Sequence, residues 1–340
     1  MSKNILSFEG LDLRKFRRAL LRWYDEHRRA LPWRQDTDPY RVWVSEIMLQ
    51  QTRVAAVLDH YAHFMKRFPD VRVLAAARES SVLAAWSGLG YYHRARRMHR
   101  AAKVIVRERR GRFPQSAAGW LELPGIGRYT AAAIASIAFG ESIAVVDGNV
   151  ERVLVRIAGA DPGREAAWQR AEALLDPRRP GDFNQAMMEL GATICTPRAP
   201  QCLLCPLYTW CVSRGAAAAR PQPPRRRKEV RYAFASKDGA VLLIQRAANA
   251  SLMAGMWELP ILAEGQRNGD KPLATLKHSI TDTDFGVSVY SVSAGRDRRF
   301  AADGQWLTRK QWERLALTGL TRKILRRLAD EPSAVSSESK

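Results

Sequence analysis

The sequence predicts a mostly α-helical N-terminal domain followed by a smaller α/β domain. Three observations predict it. Apolar residues recur at helical spacing through residues 11–215, a Pro- and Arg-rich stretch at 220–228 breaks that pattern, and alternating strand-like segments follow. A chain of 340 residues fits two domains better than one, and 46% hydrophobic residues are enough for packed cores.

In the first domain, Val54, Val57, Leu58, Tyr61, Phe64 and Met65 keep the helical period. Ile134, Ile137 and Ala138 continue it, as do Val153, Leu154 and Ile157, with Gly and Pro between them at short-loop intervals. This domain is expected to cover residues 1–219. RPQPPRRRK at 220–228 cannot continue a helix, and residues 220–229 read as a linker. Val230–Phe234 then alternates as a strand, Lys237-Asp238-Gly239 turns the chain, and Val241–Ile244 forms a second strand. A further strand is expected at Val287–Val292, with helices near Arg309–Leu317 and Thr321–Leu328. The α/β domain therefore spans 230–330, and the polar, Ser-rich residues 331–340 are expected to be a disordered tail.

The formal net charge is +21, which favours a polyanionic partner through phosphate neutralisation and counterion release. Arg94, Arg96, Arg97, Arg100, Lys103, Arg107, Arg109, Arg110 and Arg112 form a run with one acid, Glu108. The plain reading is a solvated helix face; the near absence of compensating acid reads as a surface that tracks phosphates. The start, MSKNILSFEG, lacks the apolar stretch of a signal peptide, and no run is long enough to span a bilayer. A cytoplasmic, nucleoid-associated protein is expected.

All four cysteines fall in one window, Cys195-x6-Cys202-x2-Cys205-x5-Cys211. A disulfide framework would spread its cysteines to staple distant loops. Four thiolates this close in sequence suit one metal centre. The window has one tight Cys-x2-Cys knuckle where zinc sites commonly have two, and its wider gaps suit an iron–sulfur cluster. On spacing alone, iron–sulfur leads, with zinc and free thiols still open.

Three further motifs carry chemistry. In Leu123-Pro124-Gly125-Ile126-Gly127-Arg128-Tyr129-Thr130, two glycines between helical segments allow a tight turn that exposes backbone N–H groups at a helix start, where a phosphate binds. An ordinary helix-connecting turn is the alternative. Asp147 precedes a periodic run and would ordinarily be a helix cap, yet Ile143 to Val146 deliver its carboxylate from an apolar segment. Glu46 would ordinarily be solvated, yet Trp43, Val44, Ile47, Met48 and Leu49 frame it, and apolar surroundings raise a carboxyl pKa as a general acid requires.

LPWR at 31–34, DPYRVWVSEIMLQQTRV at 38–54, SGLGYYHRAR at 87–96, LPGIGRYTAAAI at 123–134, VVDGNVERVL at 145–154, FNQAMMELGATIC at 183–195 and the cysteine spacing together resemble the adenine DNA glycosylase (MutY) family. That family belongs to the helix-hairpin-helix superfamily, which also holds endonuclease III. Gly255-Met256-Trp257-Glu258-Leu259-Pro260 resembles the family's Nudix-like C-terminal domain, and no Glu-rich Nudix box follows Pro260. The resemblance implies a helix-hairpin-helix glycosylase domain with an iron–sulfur loop at 195–211, joined to a Nudix-like binding module.

It also implies a reaction: removal of adenine mispaired with 8-oxoguanine or guanine in double-stranded DNA, after the base is flipped from the stack. By motif, Glu46 protonates the adenine, Asp147 stabilises the cationic sugar, and Asn149 orients the pair. Trp33, Arg34 and Glu189 match positions lining the adenine pocket. Gln51, Thr52, Leu89 and Tyr91 match residues around the opposite base, with Gly125 and Gly127 as the phosphate clamp. Tyr129 stands where endonuclease III carries a Schiff-base lysine, so base release without strand cleavage is expected. Cys195, Cys202, Cys205 and Cys211 are implied to hold [4Fe–4S], with no cysteine left for a second site, and a monomer is implied. One stretch departs from the family: against its Phe-Ser-His lesion loop, this chain has Ile280-Thr281-Asp282 after His278. Retuned lesion recognition through Thr281 and Asp282 is expected, with an ordinary polar turn as the alternative. The competing readings are an endonuclease III-like glycosylase-lyase and a non-catalytic DNA scanner.

Overall fold

A computed structural model describes residues 11–161, 163–215, 224–247, 249–250, 253–262, 271–280, 282–292 and 304–330. The expected tail at 331–340, part of the expected linker, Thr281 and the side chain of Ile280 lie outside the described residues. The chain divides into two compact units, Met1–Ala75 with Arg100–Pro221, and Ala76–His99 with Gln222–Lys340.

Eleven α-helices precede the second part of the chain among the described residues: α1 (Leu13–His27), α2 (Pro39–Leu49), α3 (Val54–Arg67), α4 (Val71–Ala76), α5 (Glu79–Trp86), α6 (His93–Arg109), α7 (Ala117–Leu121), α8 (Arg128–Phe139), α9 (Gly148–Ala158), α10 (Arg164–Leu174) and α11 (Pro180–Thr193). Their ends carry local signals. Asp12 caps α1 by accepting from the backbone N–H of Arg14 and Lys15, and Asp38 caps α2 with Pro39 at its first position. Phe16, Leu20 and Tyr24 form an i, i+4 stripe on α1 that packs with Val150, Val153 and Leu154 of α9 and Phe183, Met187 and Leu190 of α11. This core fixes the start of α9 beside α11, and α2 packs on α8.

The second unit holds two sheets. β1 (Arg226–Phe234) runs parallel to β6 (Thr283–Ser291), which pairs antiparallel with β5 (Ala274–Ile280). In the other sheet, β3 (Ala240–Gln245) pairs antiparallel with β2 (Ser236–Lys237), β4 (Trp257–Glu258) and β7 (Gly304–Thr308). Helices α12 (Arg309–Trp312) and α13 (Gly319–Asp330) follow. Asp238 and Gly239, at φ 50° and 72°, make the two-residue hairpin turn expected of that dipeptide.

Four expectations change. β1 begins at Arg226 and takes up residues assigned to the linker, because its whole length finds ladder partners on β6. The first C-terminal helix stops at Trp312: Leu317 bridges to Trp257, and Trp257 N–H donates to Ala316 O, so the chain that would extend the helix joins a sheet edge instead. Residues 274–280 are a strand, where the sequence reading assigned no element and set Ile280 against a loop of the family. Finally, the basic run does not present every arginine to solvent. Arg94 is buried between the rings of Trp86 and Tyr91, and Arg96 bonds Glu79 and the carbonyl of Ala254. Arg97, Arg100, Arg107, Arg110 and Arg112 remain exposed. Among the described residues no helix is long and apolar enough to cross a membrane.

Candidate active site

The α7–α8 connection is a tight hairpin. Gly125 sits at φ 81°, a conformation that favours glycine, and exposed Gly127 caps α8 with open space around it. The backbone can therefore approach a phosphate at the N-terminus of α8.

The same helix delivers Tyr129 into a cleft of about 1020 Å³ lined by Trp33, Arg34, Glu46, Gln51, Thr52, Tyr129, Asp147, Asn149 and Glu189 among others. These residues, all singled out in the sequence, thus share one cavity. Glu46 lies on the buried side of α2 and is 7% exposed. Burial pushes its carboxyl up to about 7; the Tyr129 hydrogen bond opposes this, and the nearby Asp147 adds to it. Tyr129 donates to Glu46 Oε2 at 2.7 Å. Burial and the adjacent Glu46 hold its phenol well above the usual range, so it stays a donor.

Asp147 is indeed a helix cap. Its Oδ1 accepts from the N–H of Asn149 at 2.9 Å and Val150 at 2.8 Å, and its Oδ2 accepts from Asn149 Nδ2 at 2.9 Å. The cap and the cavity-lining role coexist, because capping fixes the carboxylate at the mouth of α9. Asn149 Oδ1 in turn accepts from Arg152 Nη2 at 2.8 Å. Arg152 also donates to Gly191 O at 2.6 Å and Cys195 O at 2.8 Å.

This seating depends on Gly191. A Cβ there would stand 2.6 Å from Asn149 Cβ and 2.9 Å from Asn149 O. Gly191→Ala is expected to separate α9 from α11 at a cost of about 1–3 kcal/mol, visible as a lowered thermal midpoint. An unchanged midpoint would show that the helices yield freely.

Glu189 is 1% exposed and fully engaged. Arg29 donates to it through Nε at 2.6 Å and Nη2 at 2.8 Å, and Arg34 through Nη2 at 2.9 Å. Burial alone would raise its carboxyl; the two arginines overcome that and hold it below the ordinary range. Trp33 is buried edge-to-face against Tyr61. Gln51, exposed at φ 55°, and Thr52 follow the end of α2. Leu89 is buried and Tyr91 half-buried in the second unit. His278 is half-buried on β5, and burial and the neighbouring Lys323 lower its pKa. Asp282 is exposed in the β5–β6 turn, accepts from Thr283 Oγ1 at 3.0 Å and lies 3.7 Å from Arg226 Nε.

The cysteines line one small recess with Arg156, Pro200, Tyr208 and Gly215. Arg156 points its guanidinium at Cys195 Sγ, 3.2 Å away, and holds the carbonyls of Thr196 and Pro197 at 2.7 and 3.0 Å. Gly215 leaves room beside Cys202, since a Cβ would stand 3.2 Å from its sulfur. Among the described residues no three His, Cys, Asp or Glu side chains form a group that could hold a metal ion.

Arg29, Arg152 and Arg156 escaped the sequence reading. Each acts on carbonyls or carboxylates distant in sequence, and only the short spacing of Arg152 to Asn149 left a local trace.

A glycine hairpin feeding a helix into a cleft with paired carboxylates defines a helix-hairpin-helix base-excision protein. The family model described as "HhH-GPD superfamily base excision DNA repair protein" matches residues 44–177. The solved structure of a thermostable thymine-DNA glycosylase superposes with a TM-score of 0.56 at 30% identity, covering 60% of this chain and 97% of that one. More particularly, the chain belongs to the adenine DNA glycosylase family. It is 36% identical to the Mus musculus adenine DNA glycosylase over 97% of this chain and 81% of the relative. It is 40% identical to the Rattus norvegicus protein over 78% of this chain, and spans 64% of that relative's length.

Proposed function

We propose that this chain is a base-excision DNA glycosylase that removes adenine mispaired with 8-oxoguanine or guanine and leaves an abasic site. The observation that carries it is the buried Glu46, with its carboxyl pushed up to about 7, sharing a cleft with the N-cap carboxylate of Asp147. The flipped nucleotide enters this cleft at a cost of a few kcal/mol in unstacking. Glu46 gives its proton to the adenine ring nitrogen N7, the C1′–N9 bond breaks, and the bonding pair leaves with the base. Asp147, held by two backbone N–H groups and Asn149, faces the cationic sugar until water adds at C1′. Trp33, Arg34 and Glu189 receive the adenine, and the Gly125–Gly127 hairpin holds the backbone. By resemblance to the family, Gln51 and Thr52 in the first unit are assigned to the opposite base, as are Leu89, Tyr91, His278, Ile280, Thr281 and Asp282 in the sequence of the second. The exposed arginines of α6 add phosphate contacts.

The glycosylase-lyase reading needs an amine nucleophile where the cleft holds Tyr129, which cannot form an imine. The test is single-turnover adenine release from a duplex with A opposite 8-oxoguanine, analysed with and without alkali. Release with strand breaks appearing only after alkali is expected. Direct nicking, or a borohydride-trapped covalent complex, would restore the lyase reading; no release at all would leave a DNA scanner.

Cys195, Cys202, Cys205 and Cys211 line one recess, and four thiols gathered there suit the four corners of a [4Fe–4S] cluster. When bound, the cluster cross-links this loop and stiffens it for docking on DNA. Chemical analysis of the purified chain is expected to give about four irons with sulfide per protein; stoichiometric zinc would reject the assignment.

A further inference from the structure

Helix α13 grips two segments far apart in sequence. Arg322 Nε donates to Ser87 Oγ at 2.9 Å, and Ser87 Oγ and Tyr92 OH both donate to Leu317 O, at 2.9 and 3.1 Å, two residues before the helix begins. From the same helix, Lys323 Nζ donates to Lys277 O at 3.0 Å and Arg327 Nη1 to Thr275 O at 3.3 Å, both carbonyls of β5.

The first segment is a strained loop. Gly88, Gly90 and Tyr91 have φ of 111°, 71° and 48°. A tyrosine in the left-handed region persists only where its surroundings over-determine it, and such strain collects in functional loops. Here Trp86 Nε1 donates to Gly90 O at 3.1 Å. Buried Arg94 donates to the carbonyls of Leu89 and Gly90 while its guanidinium lies 5.4 Å from the Trp86 ring and 5.3 Å from that of Tyr91. Ser87 and Tyr92 anchor the two ends of this loop; both anchors lead to Leu317, and Ser87 leads also to Arg322. The second segment, β5, ends at Ile280, two residues before the exposed Asp282.

We propose that α13 is a brace shared by the 87–92 loop and the β5–β6 hairpin, and that Arg322 is the positioning residue that keeps the two in register for selecting the base opposite the adenine. The inference rests on the reading of both segments as facing that base. Arg322 does not touch the reacting atoms, so its loss alters selectivity more than chemistry.

The test uses the full chain with Arg322→Lys, which loses the Nε donor but keeps the charge, and Ser87→Ala, which removes the acceptor and leaves Arg322 intact. Single-turnover adenine release is measured with A opposite 8-oxoguanine and A opposite guanine, alongside thermal unfolding. Each variant is expected to lower the ratio of the two rates about tenfold, the worth of one charge-assisted hydrogen bond. The double variant should go no lower than Ser87→Ala alone, which removes the bond to Arg322 as well as that from Ser87 Oγ to Leu317 O. If Arg322→Lys does not fold, Ser87→Ala carries the test alone. An unchanged ratio, or both rates falling in proportion, overturns the brace and leaves the glycosylase reading standing. A wild-type ratio of one also overturns it. A wild-type chain that releases no adenine removes the glycosylase reading, and the brace with it.

Discussion

Replacing Glu46 with glutamine is expected to lower single-turnover adenine release by about a thousandfold, within the span assigned to a positioned general acid. The glutamine side chain would keep the shape and still accept the Tyr129 hydroxyl, so the loss isolates the proton. Duplex binding should persist, because phosphate contacts come from elsewhere. The wild-type pH profile follows from the same group. With the carboxyl near 7, release should hold below neutrality and fall about tenfold per unit once pH rises clearly above 7. The stability consequence has the opposite sense to a salt-bridged carboxylate. The folded pKa is raised above the ordinary value of 4.5, so the folded chain holds its proton where the unfolded chain has lost it. Stability is therefore lost as pH rises from about 4.5 through 7, on the order of 3 kcal/mol for this group alone. Glu46→Gln should raise the thermal midpoint at pH 8 and leave it nearly unchanged at pH 5. Equal midpoints at both values, with full activity, would show that Glu46 is neither the acid nor a buried charge.

The parts of this site legible in sequence were those whose chemistry is local. Glu46 stands inside an apolar helical frame, Asp147 at a helix start, and the hairpin glycines within a few residues of Tyr129. The braces were not legible. Arg29, Arg152, Arg156 and Arg322 are four among 55 Lys and Arg, and nothing in their neighbours announces a distant carbonyl. Asp147 shows the limit of choosing between a plain and a functional reading, since one carboxylate caps α9 and lines the cleft. β5 failed for another reason. Ala274, Leu276 and His278 turn inward while Thr275, Lys277 and Ser279 are exposed, a period-two pattern that a strand requires. Aligning the segment to a family loop outweighed that local signal. The shortened helix at Trp312 is the reverse case: local helical spacing lost to a sheet edge offering Trp257 as a partner.

Asp147→Asn is expected to reduce adenine release about a thousandfold, since it removes the charge set against the cationic sugar. At an exposed N-cap this exchange would be nearly neutral, asparagine being as good a cap as aspartate. Here it should also destabilise the fold, by about 1–2 kcal/mol, because of what lies beyond the cap. Arg152 only donates, so Asn149 must turn its Oδ1 toward Arg152 and its Nδ2 toward Asp147. Asparagine at 147 can keep its Oδ1 on the two backbone N–H groups, but its amide then meets the amide of Asn149. Flipping Asn149 relieves that clash and creates another against Arg152. The frustration is a property of the whole Asp147–Asn149–Arg152 chain, and exchanging the first two residues relieves it. In Asp147→Asn with Asn149→Asp, the new amide at 147 donates to the new carboxylate at 149, which accepts from Arg152. Thermal stability should return to near the wild-type value while adenine release stays depressed, because the negative charge has moved one link away from the cavity. Recovery of both would mean that the network's geometry, and not the charge at 147, supplies the rate. Recovery of neither would mean that the hydrogen-bond chain is not what seats the carboxylate.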